Sequence, residues 1–157
     1  MVRRGLVVLM LPVLVALAPV SQANFGFGID VVRVVDGNQD PDGDGLFNLF
    51  LQVPAGYSGG LHLGYSSSDN LNIVDVAYKH YPGNTMDGAF FQAGAGWYDA
   101  QDDDEIGFVG MVGYERRLAK HFVVTGGVRI IAGVDEEIVG YRETPVYQPM
   151  LGVMLAF

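Results

Sequence analysis

From about residue 24 to the end, apolar residues alternate with small or polar ones, and the alternation breaks repeatedly at clusters of Gly, Asp, Asn and Pro. The breaks leave eight segments of strand length, approximately 24–35, 46–53, 59–66, 71–81, 89–99, 106–117, 122–134 and 146–157. None holds a helical period, and most follow a period of two, which predicts β-strands with one apolar face. One parity reads Phe25, Phe27, Ile29, Val31; Phe47, Leu49, Leu51, Val53; Leu61, Leu63, Tyr65; and Val74, Val76, Tyr78. It continues Phe91, Ala93, Ala95, Trp97; Phe108, Gly110, Val112, Tyr114; Phe122, Val124, Val128, Ile130; and Tyr147, Leu151, Val153, Leu155, Phe157. Aromatic residues stand mainly toward the ends of these rows and aliphatic ones in the middle. That distribution predicts an apolar band between two aromatic girdles, because amphipathic rings favour the headgroup level of a bilayer.

The opposite parity carries isolated polar groups among small residues: Asp30, Asn48, Gln52, His62, Asp75, Lys79, Gln92, Glu115, Arg129 and Gln148, with Gly94, Gly96 and Gly152 on the same face. An eight-stranded barrel has a lumen just wide enough to be filled by side chains, so small residues there make room for large polar ones. The predicted fold is therefore all-β: an eight-stranded, antiparallel, up-and-down transmembrane barrel. Connections after segments 1, 3, 5 and 7 (36–45, 67–70, 100–105 and 135–145) are acidic, and those after segments 2, 4 and 6 are turns without that charge. Unlike loops at the two ends are expected of such a barrel. A soluble, lipocalin-like barrel with the faces reversed is the competing fold. Its water-facing surface would then be the Gly- and Ala-rich face, with about one charge per strand, far below the quarter to a third usual for soluble surfaces.

Residues 1–23 differ from everything after them. Arg3 and Arg4 precede an apolar run from Gly5 to Val20, and Ser21-Gln22-Ala23 supplies the small residues of a cleavage site. This reads as a secretory signal peptide, leaving 24–157 as one domain. No later segment has the 18 or more consecutive apolar residues a spanning helix needs, so any membrane role must use strands. The chain contains no cysteine, which excludes disulfides and thiolate metal sites. After loss of the signal, 18 acids face seven bases, a net charge of −11. Such acidity argues against nucleic acid as a partner.

The last segment, Tyr147 to Phe157, resembles the C-terminal signature of bacterial outer-membrane β-barrels, alternating apolar residues that end in phenylalanine. The stretches Val112-Gly113-Tyr114-Glu115-Arg116-Arg117-Leu118-Ala119-Lys120-His121-Phe122 and Tyr78 to Gly83 followed by Gly88 to Tyr98 resemble their strand–turn–strand units. The resemblance implies a location in the outer membrane of a Gram-negative bacterium and recognition of Phe157 by the barrel assembly machinery. It also implies contact with outer-membrane lipid and lipopolysaccharide, and a monomer. Small members of this superfamily include structural proteins, adhesins and enzymes acting on lipopolysaccharide.

Candidate chemistry is sparse. Lipid A deacylases of similar fold place a His and a Ser two residues apart on a late strand, and here no serine follows Ser68. His62 and Ser66 share a face but stand about 13 Å apart along an extended strand, outside hydrogen-bond range. His62 reads as lumen filling, and His80 and His121 as solvated rim residues. Asp40-Pro41-Asp42-Gly43-Asp44-Gly45 resembles the first half of a calcium loop, with Asp40, Asp42 and Asp44 as ligands, although Leu51 stands where a bidentate Glu belongs. The acidic loops together offer divalent-ion bridging to lipopolysaccharide phosphates, against the plainer reading of a solvated surface. Inside the barrel, Asp30 and Asp75 lie at a depth that faces Arg129, so Asp30 or Asp75 is expected within salt-bridge distance of Arg129 and Glu115 near Lys79, since unpaired charges there would be costly. The leading expectation is a non-enzymatic envelope protein with no cofactor, in a structural or surface-binding role. A lipid A-modifying enzyme and a small pore are the alternatives.

Overall fold

A computed structural model describes residues 25–35, 45–100, 103–135, 138 and 145–157; the expected signal peptide at 1–23 lies outside them. Eight strands form in chain order: β1 (Gly26–Asp30), β2 (Phe47–Pro54), β3 (Gly59–Ser67), β4 (Leu71–His80), β5 (Gly88–Ala100), β6 (Asp104–Ala119), β7 (Phe122–Ala132) and β8 (Val146–Ala156). Each pairs antiparallel with its sequence neighbours, and β8 closes the barrel on β1 through Phe27↔Leu155 and Ile29↔Val153. Closure leaves no free sheet edge where the ladders are complete. At one end, short turns join β2–β3, β4–β5 and β6–β7. The strand ends that lead into the acidic connections mark the other, the loop end.

The alternation along the strands sorts into inside and outside. On β4, Leu71, Ile73, Asp75, Ala77 and Lys79 are buried, whereas Val76, Tyr78 and His80 are exposed. On β8, Gln148, Met150, Gly152 and Met154 are buried, while Tyr147, Leu151 and Leu155 are exposed. The apolar parity thus faces outward, which rules out the reversed, lipocalin-like arrangement. Two apolar clusters fill the barrel at different levels. One at the loop end includes Leu46, Leu71, Ile73, Tyr98 and Ile131. The other includes Phe50, Tyr81, Met86, Phe90 and Met154. Gly64 on β3 shows how the interior is fitted, since a Cβ there would collide with the Asp75 carboxylate on β4.

The first strand departs from expectation. Segment 24–35 was expected to be extended throughout, but β1 ends at Asp30 and the chain winds into a short helix, α1 (Val31–Val35). The cause is local. The Asp30 carboxylate accepts the Val32 N–H at 3.1 Å, which caps the helix. The Asn48 side chain takes over the Asp30 backbone, accepting from its N–H at 2.6 Å and donating to its carbonyl at 2.8 Å. The β1–β2 ladder therefore stops, and Val31 belongs to the helix rather than to the outward row.

Candidate functional site

The strands place three acids and three cations in the interior, all buried: Asp30, Asp75 and Glu115 with Arg33, Lys79 and Arg129. A charge in so little solvent is costly unless paired and hydrogen-bonded, and the pairing differs between the two halves of the barrel.

Toward the turn end, Lys79 Nζ donates to Glu115 Oε1 at 2.7 Å and to Gln52 Oε1 at 2.9 Å. The Tyr81 hydroxyl donates to Glu115 Oε2 at 2.6 Å, and the Gln52 amide donates in turn to the Tyr81 oxygen. Thr125 adds a hydroxyl to Glu115 Oε1 at 3.2 Å. The ammonium also lies 4.2 Å from the centre of the Phe90 ring, in cation–π range. Tyr81 sits just past β4, where burial first, and then the Glu115 carboxylate, push its ionisation well above the usual phenol range. It is therefore a permanent donor.

Toward the loop end the contacts are looser. Arg129 Nη2 meets Asp30 Oδ2 at 2.7 Å, and its Nη1 reaches Gln148 at 3.4 Å. Arg33, carried by α1, donates from Nη1 to the Ser66 hydroxyl at 2.7 Å and stands 4.0 Å from Asp75 Oδ2. His62 Nε2 is 3.6 Å from Asp75 Oδ1, and its ring stacks on Phe50 with centroids 5.1 Å apart. Arg33 Nε, His62 Nδ1 and the Tyr98 hydroxyl are buried without a hydrogen-bond partner among the described residues, as is Gln92 Oε1 across from Lys79 in the turn half.

Of the expected contacts, the structure brings Arg129 to Asp30 and Lys79 to Glu115. It does not bring Asp75 to Arg129; that carboxylate faces Arg33 and His62 instead. Sequence reasoning missed Arg33 because strict alternation from Phe25 aims position 33 at the apolar exterior. A lone cation in the run Val31–Val35, on the wrong parity, was the available signal that the strand ends. Tyr81 was also missed, since it falls where the alternation stops.

Asp40, Asp42 and Asp44 lie outside the described residues, and among the described residues no three His, Asp or Glu side chains come close enough to hold a metal ion. The Ser66 hydroxyl is engaged by Arg33 rather than by His62. His80 and His121 are exposed at the turn end, with His121 Nδ1 at 2.7 Å from the Ala156 carbonyl and its ring 5.9 Å from that of Phe157. Compared with known proteins, the sequence matches no family model and no curated protein.

Proposed function

We propose that the chain is an integral outer-membrane β-barrel of a Gram-negative bacterium, exported by its N-terminal signal, with a non-enzymatic role in envelope integrity or in binding at the cell surface through its acidic loops. The observation that carries this reading is the outer wall. Between Asn72, Asp99 and Asp104 at the loop end and His80 and Arg116 at the turn end, the outward positions of all eight strands carry no charged side chain. Many of these apolar side chains are exposed, among them Phe27, Val76, Phe91, Phe108, Val112, Leu151 and Leu155. An apolar surface that encircles a barrel far exceeds the patches soluble monomers tolerate and matches the solvent it would meet in a bilayer.

The ends of the band support the same reading. Trp97 turns its indole N–H to Asp104 Oδ2 at 3.1 Å, and the Tyr65 hydroxyl reaches Asn72 at 3.3 Å. Both are rings with apolar bodies against the band and polar tips toward the loop end. Beyond them the charged side chains among the described loop-end residues are acidic (Asp69, Asp103, Asp104, Glu105 and Asp135), whereas Arg116, Arg117 and Lys120 gather at the turn end, with Asp87 paired to Arg116. Acidic loops outside and phosphate-bearing lipopolysaccharide around them fit divalent-ion bridging as the surface role.

The test is fractionation and flotation. Processed protein beginning at about Asn24 is expected in the outer-membrane fraction and, after refolding, at the top of a density gradient with phospholipid vesicles. Deletion of Phe157 is expected to impair assembly. Full-length protein in the soluble periplasm contradicts the reading.

A further inference from the structure

The Lys and Arg side chains of the described residues fall into two sets. Arg33, Lys79 and Arg129 are buried in the interior. Arg116, Arg117 and Lys120 all belong to the hairpin that joins β6 to β7 at the turn end. Among the described residues, every Lys or Arg that faces the surroundings is therefore on this one hairpin.

These cations meet the apolar band. On the outer row of β6, Val112 and Tyr114 are followed by Arg116 and then by Leu118, which is 63% exposed. Arg116 thus stands among the last apolar positions of the wall, where a long cationic side chain reaches the headgroup level of a bilayer. Its side chain is 65% exposed, and it meets Asp87 at 3.5 Å. An exposed pair of this kind contributes little, so the guanidinium can exchange Asp87 for another oxyanion. Arg117 lies across the end of the hairpin, donating from Nη1 to the Lys120 carbonyl at 2.9 Å. Lys120 is exposed in the turn itself. Asp87 is the only acidic side chain outside the interior at this end, among the described residues.

A second feature lies on the bilayer side of the same cations. Gly126 is on the outer row of β7, opposite Tyr114 on β6 and Leu151 on β8. Val124, its neighbour on that row, pairs with Arg116. A Cβ built at Gly126 would meet nothing within 4 Å, and the backbone there is not left-handed. Neither packing nor conformation requires a glycine. What its absent side chain leaves is a shallow notch in the outer wall, flanked by Tyr114 and Leu151 across the strands and by Val124 and Val128 along its own.

We propose that the outer face of this hairpin seats one anionic glycerophospholipid, its phosphodiester held by Arg116 and Lys120 and one acyl chain lying in the notch at Gly126. The inference deepens the membrane reading above and rests on it. Charge complementarity names the headgroup. Three cations against one carboxylate favour a lipid whose phosphate is its only charge over one that carries its own ammonium. A guanidinium also matches two phosphate oxygens at once. The tail follows from position, because the notch opens onto the uncharged band toward the bilayer centre from Arg116.

The absence of cysteine makes single-site labelling clean. Val112→Cys and, in a separate protein, Ile106→Cys place a bimane fluorophore toward either end of the outward row of β6. Each is reconstituted in phosphatidylcholine vesicles with a trace of phosphatidylglycerol or phosphatidylcholine that carries a nitroxide on its acyl chain. At position 112, quenching should show phosphatidylglycerol associating about fivefold more strongly than phosphatidylcholine, the ratio one net cation–headgroup contact supplies. Position 106, beside the acidic end, should show no such preference. Molar salt should diminish the ratio at 112, since exposed charges are screened. Arg116→Gln with Lys120→Gln should bring it to about one. Gly126→Leu, which the open space accommodates, should reduce quenching by phosphatidylglycerol. Equal quenching by the two lipids at 112, in vesicles that float, overturns the seat and leaves the membrane reading intact. A preference that survives the double variant, or is as large at 106, overturns its assignment to the hairpin. Quenching unchanged by Gly126→Leu overturns the notch as the place of the tail. Protein that does not float overturns the membrane reading and the seat with it.

Discussion

Lys79 and Arg33 are both cations buried in the same barrel, yet they are held in different ways. Lys79 comes from a regular strand and meets a carboxylate at 2.7 Å, an amide oxygen and an aromatic face, within a ring of partners in which Glu115, Tyr81 and Gln52 are all engaged. Arg33 comes from a helix wedged into the wall. It bonds the Ser66 hydroxyl at 2.7 Å, stands 4.0 Å from its carboxylate and keeps one buried N–H without a partner among the described residues. Around Lys79 the turn half holds a closed ring of hydrogen bonds, with Gln92 Oε1 at the same level left without a partner among the described residues. The loop half is charge-balanced but incompletely bonded, and it coincides with the stretch where the strand ladder is missing. Rigidity and looseness are thus separated along one axis.

The largest expected difference lies between these two cations. Lys79→Met leaves Glu115 buried with only hydroxyl donors, and breaking such a pair costs about 3–5 kcal/mol. Arg33→Met removes the bond to Ser66, a distant ion pair and an orphaned donor and keeps the apolar stem, so a loss of about 1–2 kcal/mol is expected. Arg129→Met falls between them, near 3 kcal/mol, because Asp30 keeps backbone donors from Val32 and Leu151. Urea titration of refolded protein in micelles gives all three values. An Arg33→Met loss equal to that of Lys79→Met removes the distinction between the halves.

The contrast also follows what the sequence made legible. Period-two patterning located the eight strands, and the parity of each, because a side chain one position out of register changes face. It therefore also named Lys79, Glu115, Asp30 and Arg129 as interior groups. It could not foresee α1, because the break is made by contacts from outside the segment. The Asn48 side chain, 18 residues away, takes the backbone of Asp30, and no local pattern encodes that encounter. Arg33 followed the helix inward, and Asp75 acquired a different partner from the one its depth suggested. Tyr81 escaped notice for a related reason, since its place in the network depends on how the chain leaves β4.

A smaller effect sharpens the same comparison with identical chemistry. Tyr81→Phe removes a donor to a buried carboxylate, worth about 1.5–3 kcal/mol. Tyr98→Phe removes a buried hydroxyl that has no partner among the described residues, so stability is expected to stay level or rise slightly. Equal losses in the two variants would show that the Tyr98 hydroxyl is engaged.

The outward-facing band is the central claim, and Trp97, the single tryptophan of the chain, reports on it directly. It lies on the outer face of β5 near the loop end, bonded to Asp104. In vesicles containing phospholipids brominated at graded depths, its fluorescence should be quenched most strongly by bromine close to the headgroups and less toward the bilayer centre. Fluorescence that no brominated lipid quenches, with emission typical of an indole in water, would contradict the account.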